Sequence, residues 1–272
     1  MVDVHRAQVE QAFDTARAEA RTLLLPYLTA GLPSPDESVD MFVAMADAGA
    51  DGFEIGIPYS DPLMDGPTIH EAGLQALAAG TTFERSLRIV EKVVERTGLP
   101  VFVMTYANPI MNRGPEAYAA MVAEAGAAGL IVADLPVDEA ERFESAAARS
   151  GVGLVLFVAP TTDDERLRRV IEHRPVFIYG VARLGVTGEQ ADVGGESQLA
   201  ALSARVRAET DLPLVAGVGI STPAMAAEAA QYADGVIVGS ALVRRVLDAD
   251  DSASAAKALH AAVVDLVDAV RR

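Results

Sequence analysis

The chain has no cysteine, which excludes disulfide bonds, thiolate metal ligands and a cysteine nucleophile. Lysine is also scarce: the 272 residues include two, Lys92 and Lys257. Both lie in segments with helical periodicity, and neither lies in a strand-like run. Because a Schiff-base aldolase or a pyridoxal enzyme needs a lysine in its site, the sequence argues against both classes.

Histidine is scarce too, and basic residues are fewer than acidic ones. The four histidines are scattered, and none follows a predicted strand end, so we expect no zinc site and no other metal site. The net charge of −17 disfavours nucleic acid and anionic membranes as partners. An anionic small molecule remains compatible with this charge if backbone N–H groups bind it.

Long apolar segments are absent as well. The first 21 residues carry charges throughout and contain no apolar signal core. No apolar run approaches the roughly 20 residues that cross a bilayer. Together with the lack of cysteine, this pattern is typical of a cytoplasmic protein.

Short apolar runs do alternate with Ala-rich amphipathic segments from end to end. Eight strand–helix units in a chain of this length predict one (β/α)8 TIM barrel, with an open doubly wound sheet as the alternative. The first 20 residues and residues 252–272 are predicted to form extra helices, and residues 1–272 a single domain. The predicted strands cover residues 23–29, 52–58, 100–106, 130–136, 153–160, 176–181, 213–219 and 235–239.

Two acids stand out at the second predicted strand. Period-2 alternation places Phe53 and Ile55 on one face and Glu54 on the other, inside the barrel near its mouth. Burial should raise the pKa of Glu54, which suits a general acid and base near neutral pH. Asp65 follows the strand end. The structural alternatives are a buried ion pair for Glu54 and a helix N-cap for Asp65, before Gly66 and Pro67.

Three glycine clusters follow the last three strands: Gly185-Val-Thr-Gly188, Gly217-Val-Gly-Ile-Ser221 and Gly239-Ser-Ala241. Barrel enzymes often bind phosphate with these loops and a helix N-terminus. Glycine lets backbone N–H groups approach an anion closely. The clusters therefore predict a phosphate site without lysine, to which Ser240 could add a hydroxyl donor.

The stretch Glu54-Ile-Gly-Ile-Pro-Tyr-Ser-Asp-Pro-Leu-Met-Asp-Gly-Pro67 also carries a family resemblance. Shorter motifs support it across nearly the whole chain: Pro26-Tyr-Leu-Thr-Ala-Gly31, Met104-Thr-Tyr-Ala-Asn-Pro109, Ala133-Asp-Leu-Pro136, Val158-Ala-Pro-Thr-Thr162, Gly185-Val-Thr-Gly188, Gly217-Val-Gly-Ile-Ser-Thr-Pro223 and Val238-Gly-Ser-Ala241. In these motifs the chain resembles the alpha subunit family of tryptophan synthase.

This resemblance implies retro-aldol cleavage of indole-3-glycerol phosphate to indole and glyceraldehyde 3-phosphate. It implies that Glu54 is the acid and base, and that Asp65, ionised on a mobile loop, stabilises positive charge at the indole nitrogen. No cofactor is implied in this chain. Pyridoxal phosphate is expected in a partner beta subunit, within an α2β2 heterotetramer.

The resemblance also implies substrate-binding residues. Thr187 is expected to bond to Asp65 when the site closes. Tyr27 and Leu130 are weaker candidates for the indole pocket. The remaining residues, one in the pocket and four at the phosphate, are Tyr179, Gly188, Gly219, Gly239 and Ser240.

Three positions depart from the family pattern. Ala182 stands where the family usually has serine, Leu184 where smaller or polar residues are usual, and Leu32 where aspartate is common. Because the loops after strands two and six form the family's contact with the beta subunit, these changes bear on partner coupling more than on chemistry.

Three other functions remain open at this point. A free-standing indole-3-glycerol phosphate lyase would share the acids and release indole. A catalytically weak homologue would serve mainly as a binding partner. Another phosphate-binding barrel enzyme, such as a sugar-phosphate isomerase, would share the glycine loops.

Overall fold

The computed structural model describes residues 4–181, 198–217 and 219–271. Its eight strands are parallel and pair in sequence order, with β8 closing on β1. This closed barrel confirms the predicted (β/α)8 fold and excludes the open sheet. The strands are β1 Leu23–Thr29, β2 Phe53–Gly56, β3 Val101–Thr105, β4 Gly129–Val132, β5 Gly153–Val158, β6 Ile178–Val181, β7 Leu214–Gly217 and β8 Gly235–Val238.

Helices surround the barrel, and the predicted extra helices are present at both ends of the chain. Within the described residues they are α1 Val4–Ala18, α2 Ser38–Asp47, α3 Pro67–Ala78, α4 Phe83–Thr97, α5 Ala107–Arg113, α6 Pro115–Glu124, α7 Ala140–Ser150, α8 Asp164–Glu172, α9 Gln198–Glu209, α10 Pro223–Ala230, α11 Ser240–Leu247 and α12 Ser252–Val270. A 3-10 turn, Val137–Glu139, precedes α7. The last helix, α12, packs on α2, α10 and α11.

The two faces of β2 meet different layers. Phe53 is fully buried and packs edge-on against Phe42 of α2, with ring centroids 5.4 Å apart. Glu54, one residue later, therefore points to the barrel interior, where it is in register with Tyr27 and Phe102. The alternation expected from the sequence is thus the one that the barrel adopts.

Aromatic rings fill the barrel towards its amino-terminal end. Phe102 of β3 packs edge-on against Phe177, with centroids 5.0 Å apart, and Phe177 in turn meets Phe13 of α1 at 6.2 Å. Phe13 is almost fully buried and lies beside Gly235 of β8. Helix α1 thus closes the base, and the strand ends that remain accessible are the carboxyl ends.

Asp51 fastens the base of the barrel. Its Oδ2 accepts a hydrogen bond from the backbone N–H of Leu24 at 2.9 Å, and its Oδ1 accepts one from Arg21 at 2.6 Å. Arg271, just after α12, reaches the same Oδ1 at 3.4 Å. One carboxylate therefore connects β1, β2 and the carboxyl-terminal helix.

None of the helices in the described part of the chain is long and apolar enough to cross a membrane. The cytoplasmic location expected from the sequence stays a prediction.

Candidate active site

Glu54 is a buried acid that faces a cavity at the carboxyl ends of the strands. It is 4% exposed, and its Oε2 has no hydrogen-bond partner among the described residues. The hydroxyl of Tyr179, from β6, approaches the carboxyl group across the barrel. The described structure therefore shows no ion pair that would make Glu54 a structural residue, and one buried carboxyl oxygen is left without a partner.

The pKa of Glu54 is raised to about 8. Burial is the largest cause, the nearby charge of Asp65 adds to it, and the hydrogen bond from Tyr179 partly offsets both. A carboxyl group with this pKa holds its proton at neutral pH and can still release it. That behaviour suits a group that must both donate and accept a proton in one turnover.

Asp65 lies on the loop between β2 and α3 and lines the same cavity. Its Oδ1 accepts a hydrogen bond from the hydroxyl of Tyr106 at 2.5 Å. The N-cap of α3 is Gly66, and no side chain caps that helix. Asp65 is therefore not the N-cap that the sequence allowed as an alternative, and its carboxylate is directed to the cavity wall.

The charge of Asp65 is under opposing influences. Half-burial raises the pKa of its carboxyl group above the usual value, and the hydrogen bond from Tyr106 and the charge of His70 offset this rise only in part. Tyr106 is itself anchored: its hydroxyl accepts a hydrogen bond from the N–H of Met64 at 3.2 Å, and its ring packs on Tyr59 with centroids 5.4 Å apart. The ionised form of Asp65 thus depends on Tyr106.

Two tyrosines each stand over the last glycine of the next strand. A Cβ atom added at Gly56 would lie 2.2 Å from the hydroxyl oxygen of Tyr27, and one added at Gly217 would lie 2.2 Å from that of Tyr179. Both tyrosines are buried and line the cavity. The two strand-end glycines therefore create the space in which the phenol groups stand.

Two of the predicted phosphate-binding glycines line the same cavity as the two acids. Gly219, Gly239 and Ser240 line the cavity that also contains Glu54 and Asp65, with a volume of about 380 Å³. Gly219 has a φ of +82°, a conformation that favours glycine, and Gly239 is the N-cap of α11. The first N–H groups of a helix are unpaired and attract anions. The structure thus brings three of the four predicted phosphate-binding residues into the same cavity as the predicted catalytic ones.

The helix that begins at Ser240 is attached to the helix that follows Asp65. Arg244 of α11 donates hydrogen bonds to Glu71 Oε2 at 2.7 Å and to Thr68 Oγ1 at 3.2 Å, both on α3. This bridge joins the two helices whose first residues line the cavity.

A second, more apolar cavity of about 400 Å³ shares Glu54 and Tyr179 with the first. Its wall includes Phe157, whose ring packs on Tyr179 with centroids 4.9 Å apart. The other lining residues are Met64, Met104, Ala133, Leu135, Val158, Ala159, Thr162 and Val181. Together the two cavities give room for a ring system on one side of Glu54 and an anionic group on the other.

The structure does not bring Leu130 to either cavity. Leu130 of β4 is in register with Val103, whereas the next residue, Ile131, is in register with the cavity-lining Met104. Because side chains alternate along a strand, Leu130 faces the helices. Thr187 and Gly188 lie outside the described residues.

Of the three departures from the family pattern, Ala182 and Leu184 also lie outside the described residues. Leu32 is fully buried in the hydrophobic core, so it presents no surface to a partner.

Several residues of the site were not predicted from the sequence. Tyr106 lies in one of the family motifs but was given no role, although its hydroxyl donates a hydrogen bond to Asp65. The same parity that placed Glu54 inside β2 also applies to Met104 in β3 and Ile237 in β8, and both line the first cavity. Within the described residues, no group of three or more His, Asp or Glu could hold a metal ion.

The fold and the site define a class: a TIM barrel whose cavity, at the carboxyl ends of the strands, brings together a buried acid, a half-buried acid and a glycine-lined helix N-terminus. Comparison with known proteins narrows the class. The model of the tryptophan synthase alpha chain family matches residues 13–271. The chain belongs to this family.

Individual relatives agree with this assignment. The tryptophan synthase alpha chain of Streptomyces avermitilis is 44% identical, with 94% of this chain and 92% of the relative covered. The alpha chain of Salinispora arenicola is also 44% identical, with 96% of each covered. A crystal structure of tryptophan synthase from M. tuberculosis in an open form superposes with a TM-score of 0.86 at 36% identity, covering 97% of this chain and 99% of that one.

Proposed function

We propose that this chain cleaves indole-3-glycerol phosphate to indole and glyceraldehyde 3-phosphate, as the alpha subunit of tryptophan synthase acting in the cytoplasm. In this proposal residues 1–272 act as one domain. The observation that carries the proposal is the buried carboxyl group of Glu54, whose Oε2 has no partner and which lines both an apolar cavity and a cavity with a glycine-lined helix N-terminus.

The reaction needs one proton delivered and one removed. The protonated carboxyl of Glu54 donates its proton to C3 of the indole ring, which leaves the ring cationic at its nitrogen. The resulting carboxylate then takes the proton of the hydroxyl on the adjacent glycerol carbon. That carbon becomes the aldehyde as the C3–carbon bond breaks, and the bonding electrons return to the ring. A pKa of about 8 makes both forms of Glu54 accessible near neutrality.

Asp65 stabilises the cationic ring by its negative charge. Its Oδ1 accepts a hydrogen bond from Tyr106, and Asp65 lines the cavity. Because the charge on the ring exists only between the two proton transfers, an ionised Asp65 favours the transition states over the bound substrate.

The phosphate is placed at Gly219, Gly239 and Ser240, where the N-terminus of α11 meets the cavity. Backbone N–H groups there bind an anion without lysine. The apolar cavity around Phe157 and Met104 receives the indole ring on the other side of Glu54.

A beta subunit is the proposed partner, in an α2β2 heterotetramer, and it supplies the pyridoxal phosphate chemistry. The two lysines of this chain lie in α4 and α12, away from the cavities. Large apolar side chains are exposed near the cavity mouth, with Leu63 82% exposed and Met64 66% exposed, and Met111 of α5 is 43% exposed. We place the partner on these three residues, which we call the mouth patch.

Indole release from indole-3-glycerol phosphate tests the activity. The purified chain should form indole, and Glu54→Gln should lower kcat at least about 100-fold, since general acid–base catalysis contributes roughly 10²–10⁴. Glu116→Gln, a change of an exposed glutamate on α6, is the matched control and should leave the rate unchanged. Unchanged indole production in Glu54→Gln would overturn the assignment of the base. Turnover of triose phosphates in place of the indole substrate would favour a sugar-phosphate isomerase.

Addition of the beta subunit separates the two remaining activities. A subunit of tryptophan synthase should form indole faster when the beta subunit is added, and Leu63→Glu should remove that increase. Val264→Glu, at a 37% exposed position on α12, is the control. A rate that is high alone and unchanged by the beta subunit would favour the free-standing lyase. Light scattering of the mixture reports whether α2β2 forms.

A further inference from the structure

Tyr27 brings a third hydroxyl group to the two acids, in addition to those of Tyr106 and Tyr179. Its Oη lies 3.2 Å from Oγ1 of Thr29, two residues along β1. Tyr27 is 6% exposed and lines the first cavity, whereas Thr29 is 2% exposed and is not among the residues that line it. Within the described residues, neither hydroxyl has another side-chain hydrogen-bond partner.

Two hydroxyl groups that share one hydrogen bond have one proton left over. If Tyr27 donates, the spare proton is on Thr29, which is buried behind the cavity wall. If Thr29 donates, the spare proton is on Tyr27, which borders the cavity. Because a buried polar group is stabilised by a partner, a ligand oxygen in the cavity favours the second arrangement. The pair is therefore built to present one donor to the ligand.

The position of the Tyr27 ring fixes where that donor acts. A Cβ atom at Gly239 would lie 3.4 Å from Cδ1 of the ring, and a Cβ atom at Gly56 would lie 2.2 Å from its hydroxyl oxygen. The root of the ring thus lies against the glycine that precedes Ser240, and its tip lies over β2 close to Glu54. The side chain runs from the phosphate end of the site to the acid end.

A substrate with its phosphate at the first end and its reacting carbon at the second must pass alongside Tyr27. We propose that the hydroxyl of Tyr27 donates a hydrogen bond to a glycerol hydroxyl of the substrate, and that Thr29 holds the phenol group for that purpose. This assignment rests on the function proposed above. It makes Tyr27 a residue that recognises the chain between ring and phosphate, beyond the apolar wall expected from its ring.

Tyr27→Phe tests the proposal when two ligands are compared. Indole-3-propanol phosphate carries the same ring and phosphate as the substrate but neither glycerol hydroxyl. Loss of one hydrogen bond to a neutral group should lower kcat/KM for indole-3-glycerol phosphate about 5- to 10-fold. The affinity for indole-3-propanol phosphate, measured by calorimetry, should change less than about 2-fold.

A matched control exists elsewhere in the chain. Tyr118 of α6 donates to Thr105 Oγ1 at 3.0 Å, and both residues are fully buried away from the cavities. Tyr118→Phe removes the same hydroxyl from the same kind of pair and should leave both ligands unaffected. Thr29→Val should lower kcat/KM in the same direction as Tyr27→Phe, and Thr29→Ser should restore it.

Equal losses for both ligands in Tyr27→Phe would overturn the proposal and assign Tyr27 a packing role. No loss for either ligand would overturn it as well. Wild-type protein that binds both ligands but releases no indole would instead contradict the proposed function itself. Urea denaturation of each variant confirms that the folded enzyme is being compared.

Discussion

Tyr106, directly after β3, donates a hydrogen bond to Asp65 at 2.5 Å. The acid on the loop after β2 is therefore held by the N-cap residue of α5. A hydrogen bond that stabilises a carboxylate lowers its pKa, which opposes the effect of half-burial on Asp65. The ionisation of Asp65 therefore depends on the position of its loop relative to Tyr106.

Tyr106→Phe should weaken activity most at acid pH. Without the hydroxyl, the pKa of Asp65 rises, and the acid limb of the kcat/KM profile moves to higher pH. A hydrogen bond to a charged group contributes about 1.5–3 kcal/mol, so the loss below the limb should be roughly 10-fold or more. Tyr59→Phe, which removes a hydroxyl bonded to Asn108 in the same cluster, is the control. A profile lowered equally at every pH would argue against a role through Asp65.

The stability of the wild type should fall with rising pH relative to that of Glu54→Gln. In the unfolded chain Glu54 ionises near its ordinary pKa of 4.5, whereas in the folded chain it keeps its proton up to about pH 8. Below pH 4.5 the two proteins should therefore differ least. Between these values the folded state binds more protons, and the wild type loses on the order of 1.4 kcal/mol per pH unit. Above pH 8 the difference stays constant.

Urea denaturation at several pH values measures this difference, with Glu116→Gln as the control for a glutamate that is exposed. If wild type and Glu54→Gln keep a constant difference from pH 5 to pH 8, Glu54 ionises normally in the folded protein. Its assignment as a proton donor would then fail.

Gly217→Ala should reduce activity, although Gly217 takes no part in the proposed proton transfers. The added Cβ would lie 2.2 Å from the hydroxyl oxygen and 2.4 Å from two ring carbons of Tyr179, and the buried ring has to move. Overpacking of this kind costs about 1–3 kcal/mol of stability and displaces the hydroxyl from Glu54. We expect kcat/KM to fall at least about 10-fold, as a displaced group of the site would cause. Gly73→Ala, where the nearest atom is 4.0 Å away, should be tolerated. A fully active Gly217→Ala enzyme would show that activity does not depend on the position of the Tyr179 hydroxyl.

Asp51→Ala should destabilise the barrel without changing its chemistry. The substitution leaves the buried N–H of Leu24 without a partner and removes one of the two carboxylates that Arg21 binds, so that Arg21 keeps only Glu19. A loss of about 2–3 kcal/mol in the free energy of unfolding is expected, because the remaining groups are largely buried. Asp14→Ala, at a 76% exposed position on α1, should change it by less than about 0.5 kcal/mol. If kcat of Asp51→Ala differed from that of the wild type well below the melting temperature, the base of the barrel would affect the active site at its mouth, contrary to this prediction.

The strands and the inward position of Glu54 were predictable because one face of the second strand is apolar and the other carries a charged residue. A charged residue in an apolar run defines which face is inside, so the parity of β2 follows. In β4 both faces are apolar, as is usual in strands buried on two sides, and the sequence gives no parity. Leu130 was misplaced for that reason, since only the register with β3 shows that Ile131 points inward.

The contact between Tyr106 and Asp65 could not be predicted either. It joins two loops through a side chain whose direction depends on the tilt of the strands and on the stacking of Tyr59. The glycine clusters were more informative, because strands seven and eight of a closed barrel bring Gly219 and Gly239 to one side of the mouth. Local patterns thus identified the groups, and tertiary geometry decided their partners.

The aromatic contact at the base of the barrel has a consequence for the order in which the protein can be made. Phe13 leaves the ribosome well before its partner Phe177, which lies in the sixth strand–helix unit, and before Gly235, which begins β8. Helix α1 must therefore remain without its final packing until most of the chain has been synthesised. Closure of the base is then a late event of biogenesis that requires both α1 and β8.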